Sequence, residues 1–130
     1  MRANKYRVWD TREKVMLSPK EVEANNYALC SNGVMVAMDS ESSEDGHLWM
    51  TSWRIPLMWT GLLDKNKVPI YEGDILFWDR SILGSVRYKY FEYLVGEGVS
   101  ARALCAYKED QLEVIGNVHE NVELLKDVSK

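Results

Sequence analysis

Polar and large apolar residues alternate along Lys5-Tyr6-Arg7-Val8-Trp9-Asp10. That is the period of a half-buried strand, with Tyr6 and Val8 on one face and Arg7 and Trp9 on the other. The polar stretch 11–14 reads as a turn and Val15-Met16-Leu17 as the return strand of a hairpin. Ser18-Pro19-Lys20-Glu21 carries the marks of a helix start: a capping serine, a proline at the first helical position, and a glutamate that completes a capping box. The two asparagines Asn25 and Asn26 stop that helix after one or two turns. Asn32-Gly33 between the apolar runs 27–31 and 34–38 predicts a tight hairpin turn. Further strands are predicted over 55–59, with Pro56 near an edge, over 75–79 and 85–90, and over 99–107. Residues 112–115 form a shorter apolar stretch and 121–125 one terminal helical turn. The turns between them fall at 61–69, 80–84, 96–98 and 116–117, where Gly, Asn and Asp collect. Many short strands at close spacing predict a mainly β chain, most simply a small barrel-like domain with one or two short helical segments. One domain over 1–130 is expected, with an insert at about 18–54 that contains an exposed, flexible acidic loop over 39–46.

Composition adds two things to this picture. The chain has 130 residues, 46% hydrophobic and 28% charged, with a net charge of -4. That balance describes an ordinary globular chain, because disorder requires low hydrophobicity and high net charge. It also holds five Trp, seven Tyr and two Phe, a supply of rings that suits a core, a partner surface or a base-stacking platform. Charge is uneven: residues 1–20 carry six Lys or Arg against Asp10 and Glu13, whereas 109–130 carry six acids against Lys126 and Lys130. No apolar run approaches the roughly 20 residues that span a bilayer, and the basic start 1–5 is not followed by an apolar segment. With two cysteines, Cys30 and Cys105, in apolar surroundings, reduced core-facing thiols and a cytoplasmic setting are expected.

Catalytic chemistry finds little support. The histidines, His47 and His119, stand at no zinc spacing relative to each other or to the cysteines. A Cys105–His119 nucleophile and base, oriented by Asn117, would need an accessible thiolate, and Cys105 sits between Leu104 and Ala106 in a predicted strand. Glu72 and Asp74 share a strand-side spacing that suits a divalent ion, but turn capping by Asp74 is the simpler account. The acids of 39–46 do not follow the order of a calcium loop, and no glycine-rich phosphate loop is present. No catalytic residue, cofactor or metal is therefore expected.

Three segments together carry a resemblance: 5–10 (Lys-Tyr-Arg-Val-Trp-Asp), 60–66 (Thr-Gly-Leu-Leu-Asp-Lys-Asn) followed by Ile70-Tyr71-Glu72-Gly73-Asp74-Ile75, and 114–121 (Val-Ile-Gly-Asn-Val-His-Glu-Asn) ending in Glu123-Leu124-Leu125. In order and spacing they resemble the YopX family of small phage and prophage proteins. The resemblance implies a compact β-rich fold with a barrel-like core of SH3-like character and an origin in a phage or integrated element of a bacterium. It implies no established activity and no functional residues. Members usually carry Gly after Asn66; here Lys67 stands there, so the turn is expected to rely on Asn66 or a looser loop.

Two functional readings follow. The first is a non-enzymatic accessory protein acting through protein contacts or homo-oligomerisation. The second is a nucleic-acid-binding module that stacks bases on aromatic rings beside basic groups. Both draw on one candidate surface, Arg7, Trp9, Arg12, Trp49, Trp53, Arg87 and Lys89, in which Trp9 is expected to be an exposed or interfacial ring.

Overall fold

The computed structural model describes residues 6–30, 32–38, 48–97 and 101–127. They group into two compact units, Met1–Met58 and Trp59–Lys130.

In the first unit, β1 (Tyr6–Asp10) pairs antiparallel with β2 (Val15–Leu17) on one side and with the start of β6 (Arg54–Leu63) on the other. The helix α1 (Pro19–Ala24) begins as its sequence requires. The Ser18 Oγ accepts from the Glu21 N–H, the Glu21 carboxylate accepts from the Ser18 N–H, and Pro19 occupies the first turn. Asn25 and then Asn26, at a φ of 57°, end it. β3 (Tyr27–Leu29) and β4 (Met35–Met38) form the Asn32-Gly33 hairpin, with Gly33 at a φ of 87°, a conformation glycine adopts without steric cost. β5 (Leu48–Met50) completes that three-stranded sheet. Val8, Val22 and Met35 form the core, with Tyr6, Leu17, Tyr27 and Leu29 packed on it. The acidic loop expected over 39–46 lies outside the described residues.

β6 is longer than its proline suggested. It runs ten residues through Pro56, which pairs with Val8. Beside Pro56 only β1 is hydrogen-bonded among the described residues, so the missing N–H leaves no gap between two neighbours. Thr60-Gly61, expected as a turn, is instead an irregularity inside this strand. Gly61 has a φ of 90°, and the register slips between Trp59↔Tyr71 and Leu63↔Pro69. The slip is stitched by Thr60 Oγ1, which donates to the Ile70 carbonyl at 2.7 Å, and by the Trp59 indole, which donates to the Leu62 carbonyl at 3.0 Å.

In the second unit, β7 (Pro69–Tyr71) pairs with the end of β6. The remaining strands form a five-stranded antiparallel sheet from β8 (Asp74–Trp78), β9 (Ser81–Lys89), β10 (Glu92–Val95), β11 (Arg102–Ala103) and β12 (Glu113–Asn117), in the order β11-β10-β9-β8-β12. Bulges at Leu76/Phe77 and Val114/Gly116 curl it. It does not close. β11 and β12 remain as edges, so the expected barrel is a half-barrel: a mostly-β fold with one helix and a curled, open sheet. Ile70, Leu76, Val86, Val95, Leu104 and Leu112 form its core, flanked by Trp78, Tyr93 and Tyr107. The strand expected over 99–107 is much shorter. The chain leaves the ladder after Ala103 into a 3₁₀ turn, Leu104–Ala106, that buries Leu104 and turns Cys105 out to solvent. A core-facing Cys105 is thus corrected to an exposed thiol, while Cys30 is half-buried. The terminal helical turn expected over 121–125 is a 3₁₀ segment, Val122–Asp127.

Candidate interaction surface

Two polar hubs hold the loops of the second unit, and they account for the sequence motifs. In the first, the buried Asp64 carboxylate organises the turn after β6. Its Oδ1 accepts from the N–H groups of Asn66 and Val68 at 2.8 and 2.9 Å, and its Oδ2 reaches across to the Val114 N–H at 3.0 Å. Neither Asn66 nor a looser loop takes the left-handed position of this turn. Lys67 does so itself, at a φ of 65°.

The second hub joins the β7–β8 turn to the end of β12. The Asp74 carboxylate accepts from the Tyr71 N–H at 2.8 Å, and the Val118 N–H donates to the Gly73 carbonyl at 2.8 Å. Asn117 Oδ1 accepts from the N–H groups of His119 and Glu120, and Asn121 Oδ1 accepts from the Asn117 N–H. Asn121 folds so closely over Gly116 that a Cβ there would lie 2.6 Å from its Oδ1. Asn117 and Asn121 are therefore turn residues. His119, half-buried, stands beside Gly73, whose absent Cβ would sit 3.7 Å from its Nε2. The chemistry of Cys105 with His119 loses its premise of a packed strand thiol, and neither hub gathers a nucleophile with a base. Among the described residues no three His, Cys, Asp or Glu side chains cluster as a metal site.

Surface aromatics concentrate on the hairpin of β9 and β10. Val86 and Val95, paired across it, are in the core. The next pair on that face, Tyr88 and Tyr93, extends past the core with ring centroids 5.0 Å apart. Beyond Lys89↔Glu92 the chain reverses through Tyr90 and Phe91 alone. Both residues have positive φ, 55° and 65°, the mark of a type I′ turn that usually holds Asn-Gly. Left-handed backbone costs an ordinary residue roughly 1 kcal/mol or more, so this turn is strained twice. The rings gain no burial in return: Phe91 is 95% exposed, Tyr90 76% and Tyr88 54%. Beneath them, burial pushes the Glu72 carboxyl above its ordinary value of 4.5, and burial, then the charges of Glu72 and Tyr88, pushes the Tyr93 hydroxyl up.

The residues singled out from the sequence divide between the two units. Trp9 is not exposed: it is 8% accessible, because the face of β1 that carries it is covered rather than solvated. Arg7, its neighbour on that face, is half-buried. Arg12 and Trp53 do meet, with the guanidinium 3.5 Å from the ring centroid. Arg54 lies 4.0 Å from the Tyr27 ring and 5.1 Å from that of Trp53, and its Nε is 3.5 Å from the buried Asp10 carboxylate. Asp10 also accepts from the N–H groups of Arg12 and Glu13, so this stack has the makings of a brace for the β1–β2 turn. The side chain of Trp49 lies outside the described residues. Arg87 and Lys89 share one face of the aromatic hairpin. The Arg87 guanidinium donates to the Gly96 carbonyl at 2.7 Å, and Lys89 stands opposite Glu92 with its Nζ 5.1 Å from the Tyr90 ring. The sequence reading passed over Phe91. A Tyr-Phe turn carries none of the usual turn residues, and the only cue was that two alternating runs meet there without a Gly, Asn or Pro between them.

A mostly-β chain with one short helix and an open, curled sheet is the class of protein that the fold defines. The family model described as YopX protein matches residues 5–126, and the chain belongs to the YopX family. Two solved structures share the fold. Protein EF1440 from Enterococcus faecalis is 27% identical, with a TM-score of 0.59 over 96% of this chain and 99% of that one. Protein YopX from Bacillus subtilis is 19% identical, with a TM-score of 0.58 over 96% and 99%. No curated protein matched the chain. No helix among the described residues is long and apolar enough to cross a membrane.

Proposed function

We propose that this protein is a non-enzymatic accessory protein of a phage or prophage, residing in the bacterial cytoplasm. In this reading it acts through protein contacts, self-association included, and the tip of the β9–β10 hairpin is the contact. The carrying observation is the pair Tyr90 and Phe91, held in left-handed backbone and almost wholly solvated. Strain kept together with exposed rings is the pattern of a contact surface rather than of a packing solution. Aromatic residues on a stiff turn are effective anchors, because they bury large area while losing little side-chain freedom. The test is sedimentation velocity over a range of concentrations, on the wild-type chain and on the double variant Tyr90→Asn, Phe91→Gly. Self-association that the variant abolishes supports the reading; self-association that the variant leaves unchanged removes the tip from it.

A second reading, single-stranded nucleic-acid binding, draws on Tyr88, Tyr90, Arg87 and Lys89 standing on one hairpin. It ranks lower because Lys89 faces Glu92 and Arg87 is committed to a carbonyl, which leaves the tip close to neutral. Phosphate attraction is greatest at low salt, so a labelled oligonucleotide that shows no binding there removes this reading.

A further inference from the structure

Away from the hairpin, the second unit contains an open cleft of about 440 Å³ lined by Asp64, Lys65, Lys67, Lys108, Glu109 and Asp110. One wall is the turn after β6. The other is the 3₁₀ turn Glu109–Gln111 that precedes β12, with Lys108 at its start. Both walls are tied down from below. Asp64 binds its own turn and the Val114 N–H, and the Lys65 N–H donates to the Leu112 carbonyl at 2.8 Å. Asp64 therefore has its charge spent on backbone donors, and Lys65 is paired with Glu113 at 3.3 Å. The other four charged side chains are not so engaged. Among the described residues Lys67, Lys108, Glu109 and Asp110 have no hydrogen-bond or ion-pair partner, although they line one cleft.

Lys67 adds a second, independent observation. It occupies left-handed backbone at a φ of 65°, where glycine would sit without cost. Its side chain packs on nothing that offsets this, being exposed. A strained position that carries a cation into a cleft, facing a second unpaired cation from a separate loop, is arranged for something other than stability.

We propose that this cleft is a binding site for a small phosphorylated polyol, a sugar phosphate in chemical class. Lys67 and Lys108, one from each wall, hold the phosphate dianion as point charges. Glu109 and Asp110 accept hydrogen bonds from hydroxyl groups, which carboxylates do readily. A bare dianion would meet the repulsion of those two carboxylates, whereas a phosphate ester places its hydroxylated part there. The volume lies within the range of small-molecule sites.

The test uses amide NMR of the full chain titrated separately with ribose phosphate, inorganic phosphate and ribose. Ribose phosphate should shift the amides of residues 64–68 and 108–112 and bind more tightly than either fragment. The informative variant is Lys67→Gly, which removes a cation and relieves the left-handed strain together. It should weaken binding about tenfold, the scale of one lost charged hydrogen bond, while raising the unfolding midpoint. Lys108→Ala should show a similar loss with the midpoint unchanged. Absence of shifts with ribose phosphate, or undiminished binding by Lys67→Gly, overturns the site. Equal affinity for inorganic phosphate and ribose phosphate overturns the assignment of a polyol.

Discussion

Taking away the Asp64 carboxylate would leave three backbone N–H groups, those of Asn66, Val68 and Val114, without their acceptor. Each unpaired donor costs on the order of 1–3 kcal/mol when shielded from water, so Asp64→Ala should destabilise the chain by about 3 kcal/mol or more in urea unfolding. Asp64→Asn, which keeps one oxygen, should cost less. Gly116→Ala forces the Asn121 amide from its bond to the Asn117 N–H, and overpacking of this kind costs about 1–3 kcal/mol. Glu72 works in the opposite sense from most surface acids. Its folded-state pKa lies above the unfolded value of 4.5 because burial penalises the charged form, so the folded state binds the proton more tightly. Ionising it as pH rises from 4.5 through the raised value therefore lowers stability. Glu72→Gln should remove that component of the decline, read as a flatter Tm against pH over that interval. At this scale the sequence was informative where the physics is local. Asp64, Asp74 and Asn117 bond backbone groups a few residues away, and their type and spacing announced it. Cys105 was not legible, because its exposure depends on where a strand ends, and Trp9 was not, because its burial depends on what covers the other face of β1.

Elements followed the same division. The helix at Pro19 was legible to the residue, since its serine, proline and glutamate satisfy one another within a single turn. β6 was not, because whether a proline interrupts a strand depends on whether a neighbour needs its N–H. The β9–β10 hairpin was legible as strands but not as a turn, for Tyr90-Phe91 is a poor sequence for the conformation it adopts. That mismatch makes a prediction with two signs. Replacing Tyr90-Phe91 with Asn-Gly supplies the preferred residues of a type I′ turn. It should stabilise the fold by about 1–2 kcal/mol, measured as a shift in the denaturant midpoint. The same change removes the exposed rings and with them the proposed contact. A merely structural turn would gain stability and lose nothing.

At the scale of the molecule, strand content was evident from periodicity, whereas closure of the sheet was not. Closure depends on whether the first and last strands of the sheet meet, and β11 and β12 do not. The bulges that curl the sheet also lie at positions no local pattern marks. The aromatic surplus of the sequence resolves into distinct fates. Trp9 is buried, Trp78 packs edge-on against Tyr107 with centroids 5.5 Å apart, Trp53 lies beneath Arg12, and Tyr88, Tyr90 and Phe91 face water. Only the last group is rigid, apolar and uncovered together, and so the account of function rests on it. The most direct measurement is sedimentation velocity of the wild-type chain beside the variant Tyr90→Asn, Phe91→Gly, both taken over the same concentration series. The account predicts a mass that rises with concentration for the wild type and a monomer at every concentration for the more stable variant. A monomeric wild type, or a variant that associates equally well, would contradict it.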